Sequence, residues 1–251
     1  MADQTNISWC DHTFNAWWGC TQIAPGCDNC YAKALDVRFK GDYWNPKQEP
    51  RVTSYSNWIK PLRWDAKAKK EGRRYRVFCG SMMDWCDKDA PPDALDRLWS
   101  TIKVTPNLDW LLLTKRASRI RMSLPDDWGW NGYNNVWLGV SVEDKKHGYP
   151  RIDELGDISS RVSFLSVEPM LCDMSDIDLG GIDWVIIGGE SGPGARPMNP
   201  DWAYDLMNTC RYKGIPVWFK QWGGTNREKG GSFVGLREIK QLPRGAKGYE
   251  N

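Results

Sequence analysis

Six short apolar segments recur along the chain, and each of them ends in polar, charged or glycine residues. The segments are residues 75–79, 110–113, 136–140, 162–165, 184–187 and 216–219. Segments that are apolar along their whole length suit strands buried on both faces of a parallel sheet. The stretches between them are helical or rich in turns, so the pattern predicts an α/β fold.

Chemically useful side chains follow nearly every predicted strand rather than one pair of strands. In (β/α) barrels and open α/β sheets, the carboxyl edge of the sheet carries the active site. The pattern therefore favours a partial or full (β/α), TIM-like barrel over a doubly wound sheet, with residues 7–18 supplying a seventh strand. We assign residues 1–222 to the barrel domain and residues 223–251 to a glycine- and charge-rich covering loop and C-terminal tail.

Three of the eight cysteines, Cys20, Cys27 and Cys30, lie close together in a segment that we call the cysteine loop, residues 19–30. A Pro-Gly turn folds Cys20 back towards the other two, which open a helix predicted to end near Phe39. The N-terminus of a helix lowers the pKa of nearby thiols, so three soft ligands would face one point. Three cysteines can hold a [4Fe–4S] cluster and leave one iron open, whereas a structural zinc ion takes four ligands.

A zinc ion in the cysteine loop would need a fourth ligand from elsewhere in the chain. The candidates for that ligand are Cys10, His12, Cys79 and Cys86. We favour the cluster over zinc. We also favour a role as small buried hydrophobic side chains for Cys79, Cys86, Cys172 and Cys210.

The composition points away from a membrane or secreted protein. The net charge is +2, no apolar run reaches the roughly 18 residues of a membrane span, and the N-terminal residues are polar. We therefore expect a cytoplasmic protein with no membrane partner, in which clustered cysteines act as ligands rather than disulfides. The basic segment 58–76 is more typical of a solvated helix face than of a nucleic-acid patch, although Trp58, Trp64 and Tyr75 keep the second interpretation open.

Charged residues cluster directly after the predicted strands. Glu143 and Glu168 each end a Ser-Val-Glu triplet, and carboxylates there suit acid–base work or a ligand's hydroxyl and amine groups. Lys115, Arg116 and Lys220 would bring the opposite charge to the same edge of the sheet. The alternative is a network of salt bridges that only holds loops in place.

A glycine-rich sequence follows the strand predicted over residues 184–187. Gly188 and Gly189 would let a ligand approach the backbone closely, and Glu190 would accept a cationic amine. The alternative is an ordinary turn between a strand and a helix. A serine nucleophile elbow is excluded, because Pro193 occupies the last glycine position of that motif.

Several motifs, taken in order from about Ile7 to Gly223, resemble a known family. They are Trp-Gly-Cys-(six residues)-Cys-Asp-Asn-Cys-Tyr-Ala, Leu-Leu-Thr-Lys-Arg, Trp-Leu-Gly-Val-Ser-Val-Glu, Phe-Leu-Ser-Val-Glu-Pro, Trp-Val-Ile-Ile-Gly-Gly-Glu-Ser-Gly-Pro-Gly-Ala-Arg-Pro and Phe-Lys-Gln-Trp-Gly. The chain resembles a phage-associated family of unknown function that is distinguished by a three-cysteine motif. That family in turn looks like an outlying member of the radical S-adenosylmethionine (radical SAM) superfamily.

The resemblance implies a radical SAM-like barrel in which Cys20, Cys27 and Cys30 hold a [4Fe–4S] cluster and S-adenosyl-L-methionine binds the open iron. The reduced cluster would cleave the cofactor, and the resulting 5′-deoxyadenosyl radical would abstract hydrogen from a substrate in the barrel. An electron donor of the flavodoxin or ferredoxin type would supply the electron. The phage association suggests a nucleotide, a nucleic acid or a modified base as the substrate, and the cytoplasm of a bacterial host as the location.

The same resemblance assigns roles to the residues that follow the strands. The Gly-Gly-Glu sequence is similar to the element that holds the methionine amine in the superfamily, and the residues implied for binding the cofactor are Gly188, Gly189, Glu190, Glu143, Glu168 and Arg116. Lys115 and Lys220 are the implied catalytic residues, facing a carboxylate or an anionic substrate. Two other functions stay open: a zinc-stabilised nucleic-acid-binding phage protein without catalysis, and a cluster that serves only structure or electron transfer.

Overall fold

The computed structural model describes residues 5–226 and 228–243. Its strands are β1 (His12–Phe14), β2 (Trp17–Trp18), β3 (Arg51–Val52), β4 (Tyr75–Cys79), β5 (Leu108–Thr114), β6 (Val136–Ser141), β7 (Val162–Val167), β8 (Trp184–Gly188), β9 (Val217–Gln221), β10 (Phe233–Val234) and β11 (Arg237–Glu238). Its α-helices are α1 (Tyr31–Arg38), α2 (Tyr55–Trp58), α3 (Lys60–Glu71), α4 (Pro92–Lys103), α5 (Ile120–Ser123), α6 (Lys145–Gly156) and α7 (Pro200–Lys213). Short 3₁₀ turns cover Pro25–Cys27 and Ala117–Arg119.

Seven strands form one parallel sheet in the order β1-β4-β5-β6-β7-β8-β9, curled into a half-barrel. All six apolar segments of the sequence are strands of this sheet, and the N-terminal segment supplies the seventh strand, so the predicted barrel-like α/β fold is confirmed as a half-barrel. The pair β2–β3 and the pair β10–β11 are separate two-stranded ribbons. The basic segment 58–76 contains one main helix, α3, and its last residues belong to β4.

The convex face of the sheet packs against the helices. The main core holds strand residues such as Leu112 and Ile187 together with helix residues such as Leu98 and Leu206. Helix α7 shows how the sequence sets an element's ends: the side chain of Asn199 accepts the N–H of Asp201 at 3.0 Å, and the helix stops at Gly214 in the left-handed region.

The concave face carries a second, separate core built almost entirely from strand residues. Its members are Trp9, Cys10, Phe78, Leu111, Trp137, Val162, Phe164, Trp184, Ile186 and Trp218. Trp184 stands at its centre, with ring centroids 5.9 Å from Trp137 and 6.3 Å from Trp218. We call this cluster the aromatic floor, because it fills the half-barrel at the beginning of its strands.

Side chains become small one step further along the same strand faces. Residues two apart share a face of a strand. Trp137 is therefore followed by Gly139 and Ser141, whose side chains are absent or short. On β7 and β8 the matching residues are Ser166 and Gly188. The ring of Phe164 covers Gly139, so the half-barrel is filled by aromatic rings at the beginning of its strands and lined by small residues only at the ends of β6, β7 and β8.

Residues 239–241 run along the free edge of β9. The N–H of Phe219 donates to the carbonyl of Ile239 at 2.8 Å, and the N–H of Gln241 donates to the carbonyl of Val217 at 2.9 Å. This pairing covers an otherwise open strand edge. The assignment of residues 223–251 to a covering loop and tail stays a prediction, and its last residues, from 244 onwards, lie outside the described residues.

Candidate functional site at the mouth of the half-barrel

The cysteine loop lies across the end of the sheet where the strands finish. It leaves β2 at Gly19, makes the short turn Pro25–Cys27 and enters α1 directly after Cys30. Cys20, Cys27 and Cys30 are all free thiols, each partly exposed. The predicted helix after Cys30 is therefore confirmed.

The first anchor of the loop is a buried arginine that follows β5, and we call it the Arg116 hub. The guanidinium of Arg116 forms ion pairs of 2.8 Å with both Asp84 and Asp87, and all three side chains are buried. The same group donates to the carbonyl of Thr21 at 2.7 Å and lies 3.6 Å from the sulfur of Cys20. Asp87 also accepts the N–H of Thr21 at 3.1 Å. The beginning of the loop is thereby fixed to the ends of β4 and β5.

Burial and neighbouring charges both shift the pKa values of Cys20 and Arg116 at this hub. Burial raises the pKa of the Cys20 thiol, and Asp84 raises it further, while the guanidinium of Arg116 lowers it. Burial alone would lower the pKa of Arg116, but Asp84 and the neighbouring acidic groups raise it above its ordinary value. The guanidinium of Arg116 is therefore charged, but it is paired with two carboxylates, and the net effect of the hub and of burial is to raise the pKa of Cys20.

The second anchor follows β8, and we call it the Glu190 hub. Glu190 is buried, and one of its oxygens accepts hydrogen bonds of 2.9 Å from the side chain of Asn29, the backbone N–H of Arg196 and the Nε of Arg196. The other oxygen accepts the Nη2 of Arg196 at 2.6 Å. Arg196 also reaches the carbonyl of Pro25 at 2.8 Å and the carboxylate of Asp28 at 3.3 Å. The second half of the loop is thereby fixed to the end of β8.

These hydrogen bonds dominate the ionisation of Glu190. Burial opposes the charged form, but the hydrogen bonds from Arg196 and Asn29 hold the pKa of the Glu190 carboxyl below its ordinary value. The side chain is therefore a carboxylate whose two oxygens are both directed at groups that hold the cysteine loop.

A third carboxylate supports the middle of the loop from below. Glu143 is fully buried and pairs with Arg151 at 2.7 Å. A Cβ atom added to Gly26 would lie 3.0 Å from the Glu143 side chain, so the loop rests directly on this carboxylate. Within the described part of the chain, the second oxygen of Glu143 has no hydrogen-bond partner.

The remaining predicted residues face the space above the aromatic floor. Lys220 forms an ion pair with Glu168, and the ammonium of Lys115 donates to the hydroxyl of Ser141 at 3.1 Å. Tyr31, the first residue of α1, is 46% exposed, and its hydroxyl donates to the carbonyl of Ser81 at 3.0 Å. Burial, and then the nearby Cys30 and Glu168, raise the pKa of the Tyr31 phenol.

The structure thus separates the predicted site residues into two groups. Arg116, Glu143 and Glu190 engage protein partners, as the salt-bridge network proposed as an alternative would require. Lys220 and Glu168 pair with each other, and Lys115 pairs with Ser141, so these three residues have protein partners too but do not hold the cysteine loop. The cofactor and catalytic roles that the resemblance implies for these residues stay predictions.

The donor atoms for a metal centre are present in type and number. The cysteine loop offers three free thiols, and cysteine sulfurs are the usual ligands of an iron–sulfur cluster. Within residues 5–226 and 228–243, no three His, Cys, Asp or Glu side chains are arranged as ligands of one metal ion. The thiols would have to turn towards one point to hold a cluster.

The proposed fourth ligands for zinc lie elsewhere. The ring of His12 stacks on Trp64 at 4.3 Å, while Cys79 and Cys86 are fully buried in the main core. Cys10 belongs to the aromatic floor. Burial of Cys79, Cys86 and Cys210 agrees with their predicted role as small hydrophobic side chains, and Cys172 is partly buried against the same core.

Sequence reasoning missed several residues that build this site. They are Asn29, Tyr31, Asp84, Asp87, Arg151 and Arg196. Three of them stood inside quoted motifs: Asn29 between Cys27 and Cys30, Tyr31 directly after Cys30, and Arg196 after the glycine-rich turn. The available signal was the order of residues after β8, where the acidic Glu190 is followed by a glycine-rich turn that ends at Arg196. An acidic and a basic residue at the two ends of a short turn can form an ion pair.

The two glycines at the end of β8 should respond very differently to substitution. A Cβ on Gly189 would lie 1.9 Å from the backbone oxygen of Trp222, whereas a Cβ on Gly188 would make only ordinary contacts of 3.5 Å. We expect Gly189→Ala to lower the free energy of unfolding by about 1–3 kcal/mol. The matched Gly188→Ala should leave stability unchanged or slightly higher. Urea denaturation of both variants measures this, and equal stabilities would contradict the geometry.

Comparison with known proteins gives one family and one fold. The family model described as "Protein of unknown function (DUF5131)" matches residues 4–248. No curated protein matches the chain. Two solved structures are similar in fold: spore photoproduct lyase complexed with dinucleoside spore photoproduct, and a mutant of that lyase with bound AdoMet and the same dinucleoside.

Both lyase structures share 9% sequence identity with this chain, with TM-scores of 0.53 for the complex and 0.52 for the mutant. In each case the match covers 83% of this chain and 63% of the lyase chain. The chain therefore spans less than two thirds of the length of these proteins. At this identity the likeness shows the fold. Within the described residues, no helix is both long enough and apolar enough to cross a membrane.

Proposed function

The chain belongs to the protein family of unknown function DUF5131, and we propose that it is a radical SAM-type enzyme. The proposal assigns Cys20, Cys27 and Cys30 to a [4Fe–4S] cluster, with S-adenosylmethionine as the second cofactor. The substrate would sit above the aromatic floor, and a nucleotide or nucleic-acid base is the class we favour. The observation that carries the proposal is a loop of three free cysteines held across the mouth of a parallel half-barrel.

The likeness to spore photoproduct lyase, a radical SAM enzyme, supports this assignment at the level of the fold. One of the two similar structures holds AdoMet and a dinucleoside, which motivates both the cofactor and the substrate class proposed here. When bound, a reduced [4Fe–4S] cluster supplies the electron that cleaves S-adenosylmethionine and begins radical chemistry.

The residues of this chain would provide position and environment. The Arg116 and Glu190 hubs hold the two halves of the cysteine loop, and the aromatic floor keeps water out of the lower half-barrel. Lys115, and Lys220 with its partner Glu168, place charges beside the open space, where they would orient a carboxylate or an anionic substrate.

Anaerobic reconstitution with iron and sulfide tests the metal assignment. We expect a brown protein with broad visible absorption, and loss of most of its iron in Cys27→Ala. Cys172→Ala is the matched control, because Cys172 is also a partly buried free thiol but lies outside the cysteine loop. A colourless protein with stoichiometric zinc, or unchanged iron in Cys27→Ala, would contradict the proposal.

A second measurement separates catalysis from a structural or electron-transfer cluster. After reduction with dithionite, the reconstituted protein should convert S-adenosylmethionine to 5′-deoxyadenosine. Iron binding without this product would leave the cluster assignment intact and remove the enzymatic one.

A further inference from the structure

A small aromatic cavity of about 250 Å³ opens beside the cysteine loop. Its walls are the rings of Trp18, Phe39 and Tyr43, and Arg51 lies between two of them, with its guanidinium carbon 5.4 Å from the Trp18 ring centre and 5.5 Å from that of Tyr43. Drug-sized ligands occupy pockets of roughly 300–1,000 Å³, so this cavity suits a single ring system. Phe39 is well exposed at its edge.

The remaining wall contains an acidic side chain with one unused oxygen. Asp36 lines the cavity together with Gly41 and is only 2% exposed. Its Oδ2 accepts the N–H of Tyr43 at 2.8 Å, whereas its Oδ1 has no hydrogen-bond partner within the described residues. A buried carboxylate oxygen without a donor is costly, and a ligand that brings a donor would relieve that cost.

The cavity is continuous with the cysteine loop on both sides. Trp18 immediately precedes Gly19, and Asp36 and Phe39 lie on or directly after α1, which begins next to Cys30. A Cβ on Gly19 would lie 2.8 Å from the carbonyl oxygen of Tyr43, so the two features are in direct contact. A ligand in the cavity would therefore be held at the edge of the mouth.

Three exposed basic residues lie in or next to the segments that line the cavity, together with the acidic Asp42 beside Tyr43. Arg38 and Lys40 flank Phe39 in sequence, and both are exposed. Arg51 is also exposed and stands at the entrance. Proteins that bind single-stranded nucleic acids combine positive side chains with aromatic rings. The positive side chains contact the phosphates, and the bases stack on the rings.

We propose that this cavity binds an amine-bearing nucleobase of a single-stranded nucleic acid, stacked on the exposed ring of Phe39, with its exocyclic amine donating to Asp36. Cytosine, adenine and guanine carry such an amine, whereas thymine presents a carbonyl oxygen at the corresponding position of cytosine. The phosphates on either side would meet Arg38, Lys40 and Arg51. This inference deepens the proposed function by naming how its substrate class is held, but the binding itself needs no cluster.

Binding of fluorescently labelled oligodeoxycytidine and oligodeoxythymidine of equal length, measured by anisotropy at fixed low salt, tests the proposal. The iron-free protein is used, so the result is independent of the cluster. We expect the cytosine strand to bind about tenfold more tightly, because its exocyclic amine donates to Asp36 where thymine presents a carbonyl oxygen. The mononucleotides dCMP and dTMP, used as competitors, show whether the base alone or the strand is recognised.

Two variants sharpen the result. Phe39→Ala should weaken both strands by about tenfold, which is the scale of one lost base–aromatic stack. Asp36→Asn should reverse the preference for cytosine over thymine. The amide oxygen of the asparagine is needed to accept the N–H of Tyr43, so its NH₂ group takes the place of Oδ1. That NH₂ group then donates to the thymine carbonyl. Tyr212→Ala is the matched control, since Tyr212 is 93% exposed at the far end of α7 and should have no effect.

Equal binding of the two strands by the natural protein, or unchanged binding in Phe39→Ala, would overturn the proposal. If Asp36→Asn does not fold, those two measurements still decide it. Failure to take up iron would leave a positive binding result standing, so the cavity and the cluster are judged separately.

Discussion

Replacing Arg116 by methionine should lower the free energy of unfolding by about 3–5 kcal/mol. The substitution keeps much of the side-chain volume but leaves Asp84 and Asp87 as buried carboxylates without a cation, and an uncompensated buried charge is strongly destabilising. Thr21 loses two hydrogen bonds at the same time. Urea denaturation followed by tryptophan fluorescence measures the change.

The control for Arg116→Met is a cation that belongs to an exposed ion pair. Lys103 pairs with Asp127 on the surface, so Lys103→Met should change stability by less than about 1 kcal/mol. If both variants lost the same small amount, the Arg116 hub would be an ordinary surface contact. Arg116→Met should also lower iron uptake after reconstitution, because the backbone beside Cys20 has lost its anchor.

Arg196→Met should lower the free energy of unfolding by about 3 kcal/mol at neutral pH. The carboxylate of Glu190 stays buried but loses the guanidinium that both of its oxygens face. The effect should be smaller than at Arg116, because one side of Arg196 is open to solvent. The double variant Arg196→Met/Glu190→Gln should recover part of the loss, since it removes the stranded charge.

The loss in Arg196→Met should depend on pH in a defined direction. The pKa of Glu190 is lower in the folded protein than its ordinary value of 4.5, so its ionised form stabilises the fold above that value. This stabilisation disappears as the pH falls through the folded-state pKa. The difference between the natural protein and Arg196→Met should therefore be full at pH 7 and shrink in acid below 4.5. A difference that grows in acid would contradict the Glu190 hub.

The sheet could be predicted from the sequence because each strand carries its own signal. Segments such as 110–113 and 184–187 are apolar on both faces, and that composition alone indicates a strand covered on two sides. The charged and glycine residues that follow each predicted strand then placed a functional site at the carboxyl edge of the sheet. The strand order was not predicted, although the strands of the main sheet follow one another in the same order along the chain.

The hubs were not predictable in the same way, because they join residues far apart in the chain. Asn29 meets Glu190 across 161 positions, and Thr21 meets Arg116 across 95. Sequence alone placed Arg116, Glu143 and Glu190 at the correct edge. It could not show whether their polar atoms would face a ligand or another side chain, since that depends on which loops arrive beside them.

The aromatic floor lay within reach of sequence analysis but was missed. On β6 the residues of one face run from Trp137 through Gly139 to Ser141, and on β7 from Phe164 to Ser166. A decrease in size along one face, repeated on adjacent strands, describes a hollow that is filled at one end. Reading each run only as apolar or polar hides this gradient.

The two-sided anchoring of the cysteine loop bears on how a metal centre would be acquired. In a zinc finger, much of the metal's binding free energy orders the chain, so removing the metal unfolds the domain. Here the backbone of the loop is already held by buried ion pairs at both ends, and the cost in conformational entropy has been met by folding itself. Loading and folding are therefore separate events: a chelator would strip the thiols and leave a folded protein that can be reloaded.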